Sequence, residues 1–196
     1  MRRWFCRSPF AVLVVVAALA GCSSPDPALY TLAPAAGAVH RGGPKVVLLH
    51  QIAVAHYLER SEIVRSSEGY RLAVSENDWW GEPLAAMLSR VLVEEIGQRL
   101  PGSVVIADNG AVSAEPDATV ELNIERLDQN AAGNLVLQAQ AAVRFNQRKP
   151  PLLRNFRFAV PLPAPGVTGE VAAISIAVGK LADGIVPMLT AGAAAG

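Results

Sequence analysis

The chain has only two cysteines, Cys6 and Cys22, and both lie in its first 22 of 196 residues. Everything after Cys22 therefore lacks a disulfide, a thiolate metal ligand and a cysteine nucleophile. Charge of one sign is also missing: 17 basic residues balance 17 acidic ones. Nothing in that balance attracts a polyanion, so nucleic acid is excluded as a partner. Histidine is scarce, at His40, His50 and His56, and zinc usually needs three or four convergent ligands. There is no His-Glu-x-x-His, no Gly-x-Ser-x-Gly elbow and no Gly-rich phosphate loop. Glu94 and Glu95 are adjacent on a predicted helix, where their side chains diverge by about 100°. They read as a solvated helix edge, not as a general acid and base. The sequence thus predicts neither a catalytic residue nor a metal or cofactor. No stretch after the N-terminus reads as a transmembrane helix, because Lys180 and Asp183 interrupt the Ala-rich C-terminal segment. No internal repeat is visible.

What is present begins with a basic start, Arg2, Arg3 and Arg7, followed by an uncharged run from Phe10 to Ala20. That run is too short for a bilayer core, which needs about 20 apolar residues, and suits a cleaved signal peptide. It ends in Leu19-Ala20-Gly21-Cys22, small residues before a cysteine, the pattern of a lipobox. Residues 1–21 are expected to be removed and Cys22 to carry the lipid. Two or more acyl chains hold a protein to a membrane stably, whereas one does so only reversibly. Bacterial lipoproteins of this type carry a diacylglyceryl thioether and an amide-linked chain of the palmitate kind. Ser23 follows the cysteine where Asp would favour inner-membrane retention. That predicts an outer-membrane, periplasm-facing location. Loss of three signal arginines leaves the mature chain with a net charge of about −3.

Residues 22–44 read as the lipidated cysteine and a Pro/Gly-rich tether with a short first strand at Leu29–Leu32. Residues 45–190 read as one domain and 191–196 as a flexible tail. Lys45–Val54 is β-branched-rich and predicts a largely buried strand. Tyr57–Glu62 predicts a turn or short helical piece. Ile63–Ser66 and Tyr70–Val74 predict a hairpin around Ser67-Glu68-Gly69. Leu84, Met87, Leu88, Val91, Leu92, Ile96 and Leu100 repeat at helical spacing, with Arg90, Glu94, Gln98 and Arg99 largely off that stripe. Asp78 is the expected cap of this helix, Pro83 fits its first turn and Pro101-Gly102 its end. A short strand follows at Ser103–Ala107. Thr119–Leu127 and Leu135–Phe145 alternate apolar and polar, predicting an antiparallel pair with one dry and one wet side. Pro150-Pro151 is expected to break the chain before a strand over Leu152–Leu162. A second helix is predicted over Gly169–Leu189, capped by Thr168, with Glu170 in its first turn. Its Gly179 and Gly184 are candidates for close packing on the sheet. The fold class is α/β, a single domain whose mixed or largely antiparallel sheet is covered by two long amphipathic helices.

Two segments stand out, Tyr57-Leu58-Glu59-Arg60-Ser61-Glu62-Ile63-Val64-Arg65 and Asn77-Asp78-Trp79-Trp80-Gly81-Glu82-Pro83-Leu84. Adjacent tryptophans cannot both enter one core, so one of Trp79 and Trp80 should pack inward and the other should face a partner, solvent or lipid head groups. At these residues the sequence resembles the auxiliary lipoproteins of ABC-type transport systems, the PqiC-like membrane lipoproteins. Tyr57, Leu58 and Arg60 match a Tyr-Leu-Asp-Arg element, with Glu59 at its acidic position, and Ile63, Val64 and Arg65 match its continuation. Asn77, Trp80, Glu82, Pro83 and Leu84 match the second element, with Gly81 at its small position. Tyr30-x-Leu32 and the closing Ala-rich helix also fit, so the resemblance spans about residues 29–190. Ala55-His56 stands where a proline is usual, and Trp79 where a polar or basic residue is.

The resemblance implies a non-catalytic accessory or docking subunit of an MCE-type or ABC-type lipid transport system between inner and outer membrane. Its implied partner is an MCE-type periplasmic conduit protein, and the partner-interface candidates are Tyr57, Leu58, Arg60, Trp79 and Trp80. A homo-oligomer around such a conduit would suit the role. The alternative is a lipid-binding carrier or sensor without a conduit partner. It needs an internal apolar cavity, for which the small Ala139 and Ala141 leave room. An envelope hydrolase has only the compartment in its favour.

Overall fold

The computed structural model describes residues 26–146 and 148–193. The signal segment, Cys22 and the last residues of the tail lie outside the described residues. Nine strands form one mixed sheet. They are β1 (Ala28–Tyr30), β2 (Val46–Leu49), β3 (Ala53–Val54), β4 (Glu62–Ser66), β5 (Ala73–Trp80), β6 (Val104–Ala107), β7 (Ala118–Gln129), β8 (Leu135–Phe145) and β9 (Arg148–Val160). Helix α1 spans Leu84–Arg99 and helix α2 spans Gly166–Ala193. The two helices pack on each other, α1 also on β6 and α2 on β8 and β9. The α/β class and the two covering helices are as the sequence predicts.

The sheet is organised on β7. One edge pairs antiparallel with β8 along its whole length, Ala118 opposite Phe145 through Gln129 opposite Leu135. The other edge is shared end to end by three parallel pieces. Leu48 lies opposite Thr119, Ala53 opposite Asn123, and Ser66 opposite Gln129. The single expected strand over Lys45–Val54 is thus two strands, β2 and β3, interrupted at His50–Ile52. β6 extends the sheet beside β2, and β5 then β1 extend it beside β4. Val120, Leu122 and Ile124 of β7 and Leu135, Leu137, Ala139, Ala141 and Val143 of β8 line the buried face. Thr119, Glu121, Asn123 and Gln140 take the wetter one, as alternation requires.

Several boundaries differ from expectation. Tyr70 lies in a 3-10 turn, Glu68–Tyr70, so the strand expected from Tyr70 starts only at Ala73. Asn77–Trp80 belongs to β5 because β1 pairs with it, Leu29 opposite Trp79. Asp78 is therefore no helix cap and accepts the Ser75 hydroxyl instead. α1 starts after Pro83 with no side-chain cap. Pro150-Pro151 does not break the chain: β9 runs through both, and the register slips between Val143 opposite Leu152 and Phe145 opposite Arg148. Proline is tolerated there because β9 pairs only with β8, which leaves its other edge open. α2 starts at Gly166, so Thr168 lies inside its first turn rather than capping it.

α2 is long and apolar enough to cross a membrane by length and composition, contrary to the expectation drawn from Lys180 and Asp183. Most of it is buried in the domain instead, because a helix lying over β8 and β9 needs an apolar face. Gly184 sets that approach. A Cβ there would stand 2.3 Å from Phe156 Cε1, and Phe156 is the cross-strand partner of Ala139. The small side chains of Ala139 and Ala141 thus lie beneath a helix that comes in close.

The segment after β1 has no regular structure, yet it is seated across both helices. Leu32 is buried, and its N–H points at Met87 Sδ at 3.0 Å. Ala33 N–H donates to Ser175 Oγ, and Ala35 N–H donates to Glu95 Oε1 at 2.7 Å. Arg99, expected off the apolar stripe, is fully buried. Its guanidinium donates to Asp183 Oδ1 (2.6 Å) and to the carbonyls of Ala35 (3.1 Å), Glu95 (3.1 Å) and Gly179 (3.2 Å). Gly37 lies on that guanidinium so closely that a Cβ would fall 2.2 Å from Nε. His40 N–H then closes on the Arg99 carbonyl at 2.7 Å. Glu95 is no solvated helix edge either: it is fully buried, with Oε2 unpartnered.

Gly184→Ala should lower stability by roughly 1–3 kcal/mol through overpacking against Phe156. Urea denaturation checks this, and combining it with Phe156→Leu should recover part of the loss. Burial pushes the Glu95 carboxyl up to about 7 against the Ala35 N–H and Arg99, and burial likewise pushes Glu170 up to about 7 against Arg65. The folded state therefore holds these protons more tightly than the unfolded chain. Their contribution is complete below about pH 4.5 and is lost as pH rises through about 7. Glu95→Gln should flatten the fall in unfolding free energy between pH 5 and 8 by roughly 1–3 kcal/mol, read from denaturation series at each pH.

Candidate functional site

Between β3 and β4 the chain leaves the β7 edge. Ala55 N–H makes the last bond to the ladder, on the Ile124 carbonyl at 2.9 Å. A 3-10 turn, His56–Leu58, follows, in line with the turn predicted around Tyr57. Two anchors hold it. Leu58 is buried in the core. The Tyr57 hydroxyl donates to Asp128 Oδ2 at 2.8 Å. Asp128, fully buried near the end of β7, also accepts from Ser67 Oγ (2.7 Å) and from Arg126 Nε (2.9 Å). Burial, then the bond to Asp128, pushes the Tyr57 phenol up to about 12. Arg65 of the same segment lies with Nε 2.5 Å from Oε2 of the buried Glu170, near the start of α2.

The second segment comes back beside the first. Trp80 N–H donates to the Ser61 carbonyl at 2.7 Å, and Gly81 N–H to the Tyr30 carbonyl at 2.8 Å. A Cβ on Gly81 would stand 3.4 Å from that carbonyl oxygen, an ordinary contact that an alanine would also make. Pro83 and Leu84 then open α1. The two segments together enclose a cleft of about 450 Å³, lined by Val54, Leu58, Trp80, Pro83, Leu84 and Ala85, with Glu59, Arg60, Ser61 and Glu82 completing it. Arg60 Nε lies 3.4 Å from Glu62 and Arg90 2.8 Å from Glu82, and Glu59 is hydrogen-bonded to His56 at 2.8 Å. An apolar floor whose rim side chains are engaged with one another suits an inserted apolar side chain better than a small charged ligand.

The tryptophans divide as the sequence predicts: Trp80 is buried in the cleft wall and Trp79 is 37% exposed. Opposite Trp79 on β1, Leu29 is 67% exposed. Of the five candidates, the structure brings Leu58, Arg60 and Trp80 to the cleft and sets Trp79 beside it on β5. Tyr57 is turned to Asp128. Val54, Ser61 and Ala85 line the cleft without having been singled out. Their place depends on pairing between segments distant in the chain, for which local spacing carries no signal. Neither histidine nor cysteine lines the cleft, and among the described residues no group of three metal-ligating side chains converges. His50 is engaged with Asp108 at 2.8 Å.

Tyr57→Phe removes one of three donors to a buried carboxylate and should cost about 1–2 kcal/mol. Comparison of urea midpoints at constant slope checks it, and Leu58→Ala should cost more, about 2–5 kcal/mol.

Two solved structures share the fold. An uncharacterized protein matches with a TM-score of 0.69 at 18% identity, over 83% of this chain and 98% of its own. Protein XCC0632 from Xanthomonas campestris, of the family DUF330, matches with a TM-score of 0.65 at 15% identity, over 81% of this chain and 91% of its own. No curated protein is a significant match. A family model, the ABC-type transport auxiliary lipoprotein component, matches residues 30–186. That span runs from the end of β1 into the last turns of α2 and takes in every residue of the cleft, so the chain belongs to the family of ABC-type transport auxiliary lipoprotein components.

Proposed function

We propose that this chain, lipidated at Cys22 and held at the periplasmic face of the outer membrane, is the docking subunit for an MCE-type conduit protein in a lipid transport system. The observation that carries the reading is the convergence of both family segments on one apolar-floored cleft beside the exposed Trp79 and Leu29. An exposed tryptophan beside a pocket is a common interface anchor. The role is binding rather than chemistry: the cleft is lined by no histidine or cysteine, and its Glu82 is held by Arg90. Of the two buried carboxyls with raised pKa, Glu95 accepts the Ala35 N–H of the segment after β1 and Glu170 is ion-paired with Arg65 of β4.

The carrier alternative needs space over Ala139 and Ala141. Gly184 brings α2 close on Phe156, the cross-strand partner of Ala139, which accounts for the small Ala139 without a ligand.

The purified mature protein should bind an MCE-type protein from the same envelope in an immobilised-partner assay. Trp79→Ala combined with Arg60→Glu should weaken binding tenfold or more, about 1.4 kcal/mol or above. Unchanged affinity in a variant that unfolds at the wild-type urea midpoint would overturn the cleft as the interface. Absence of binding by the wild-type protein would overturn the partner class.

A further inference from the structure

The tip of the β4–β5 hairpin carries a feature that neither the core nor the cleft uses. Tyr70 has a positive φ of 63°, the one non-glycine residue with a positive φ among the described residues. A bulky side chain in that region is strained by roughly 1–2 kcal/mol. Nothing within the domain repays it, since Tyr70 is fully exposed, with a relative accessibility of 109%. Leu72 is 41% exposed, and Arg71 between them is exposed and makes no salt bridge among the described residues. The neighbouring Glu68 is already held by Arg126 at 2.7 Å. The tip therefore presents an aromatic ring with a polar end, an aliphatic side chain and an uncompensated cation. That is the composition of a membrane–water interface anchor.

The position of the tip relative to the chain's start supplies the second observation. β1 runs parallel to β5 with Ala28 opposite Asp78. The direction leading from Ala28 back toward the N-terminus is thus the direction leading from Asp78 back to the hairpin tip. Six residues separate Ala28 from Cys22, and six separate Asp78 from Leu72. Six residues reach at most about 20 Å, so an acyl chain on Cys22 keeps this end of the sheet within that distance of the bilayer.

We propose that Tyr70, Arg71 and Leu72 form a second membrane contact, seated in the headgroup layer beside the acylated Cys22. The inference rests on the lipidation of Cys22 proposed above. The contact fixes orientation rather than adding much affinity, since the acyl chains already hold the domain at the surface.

Hydroxyl-radical footprinting tests this on the mature chain bound to vesicles of phosphatidylethanolamine and phosphatidylglycerol. Two preparations are compared, the natively acylated protein and an unlipidated one coupled through the Cys22 thiol to a maleimide lipid. Labelling of Tyr70 and Leu72 should fall several-fold on the vesicles, while the exposed Val112 and Leu153 keep their solution rates. Leu72→Glu, at an exposed position, should restore labelling of Tyr70. Equal labelling of Tyr70 with and without vesicles, or protection of Val112 instead, would overturn the contact. If the native protein carries no lipid but the coupled one shows the protection, the anchor reading fails and the surface stands.

Discussion

The constraint on which the rest of the structure depends is that one strand, β7, must satisfy two edges at once. Its β8 side is met by a contiguous antiparallel neighbour, the simplest local solution. Its other side is met in instalments by β2, β3 and β4, which run along it in chain order and in the same direction. A buried strand cannot leave a whole edge of amides unpaired, so the interruptions are bridged. His50 N–H reaches the Val120 carbonyl at 2.9 Å across the first. The second is too wide for backbone alone, and side chains fill it: the Tyr57 and Ser67 hydroxyls and Arg126 converge on Asp128. The cleft opens beside this second interruption. It is a by-product of how the β7 edge is shared, and Tyr57 of the adjoining segment holds the turn in place rather than lining the cleft.

Burial of charge is the second theme. Arg99 contributes to the fold by satisfying three carbonyls and one carboxylate from three separate parts of the chain, with Gly37 and Gly179 giving the backbone access to it. Its ionic partner Asp183 is half exposed, which limits the desolvation cost, whereas Glu95 is fully enclosed and is pushed toward its neutral form. The same device recurs at the other end of the domain, where the half-exposed Arg65 meets the buried Glu170. Each arginine adds a polar tie between a helix and another part of the chain: Arg99 holds the irregular segment after β1 against both helices, and Arg65 joins β4 to the start of α2.

These two themes separate what was legible in the sequence from what was not. The β7–β8 hairpin, the α1 stripe and the split between Trp79 and Trp80 follow from local periodicity and from the size of one side chain. β8 appears with the boundaries that its alternation gives, Leu135–Phe145. The parallel pairings do not follow, because nothing near Leu29 announces that Trp79, fifty residues on, will lie opposite it. Hence Asn77–Trp80 read as the approach to a helix and is strand. Charged residue type predicts exposure for Arg99 and Glu95; only the chain crossing over them buries them. Pro150-Pro151 read as a break because proline opposes a ladder, and that rule lapses on an outer strand with one open edge. The cleft was half legible: its two walls were visible as segments, their meeting was not.

β5 links the two ends of the molecule that matter for function. Its first residue follows the hairpin tip that carries Tyr70 and Leu72, and its last, Trp80, is a wall of the cleft. Eight strand residues span about 25 Å. A domain resting on that tip would hold the cleft roughly that far from the headgroups, on the side away from the lipid. With Cys22 acylated as proposed, the short linker would limit how far the domain can rise, and β5 would set the height of the cleft above its base. A flexible tether alone would let the cleft sample every direction, including toward the bilayer, and binding would then carry the entropy of orienting the domain each time. A strained tyrosine that costs the fold a kcal/mol or two is a small term beside that orientational one. Under the proposed membrane contact it would persist because a rigid strand between a lipid contact and a protein contact presents one face to a partner arriving from the periplasm.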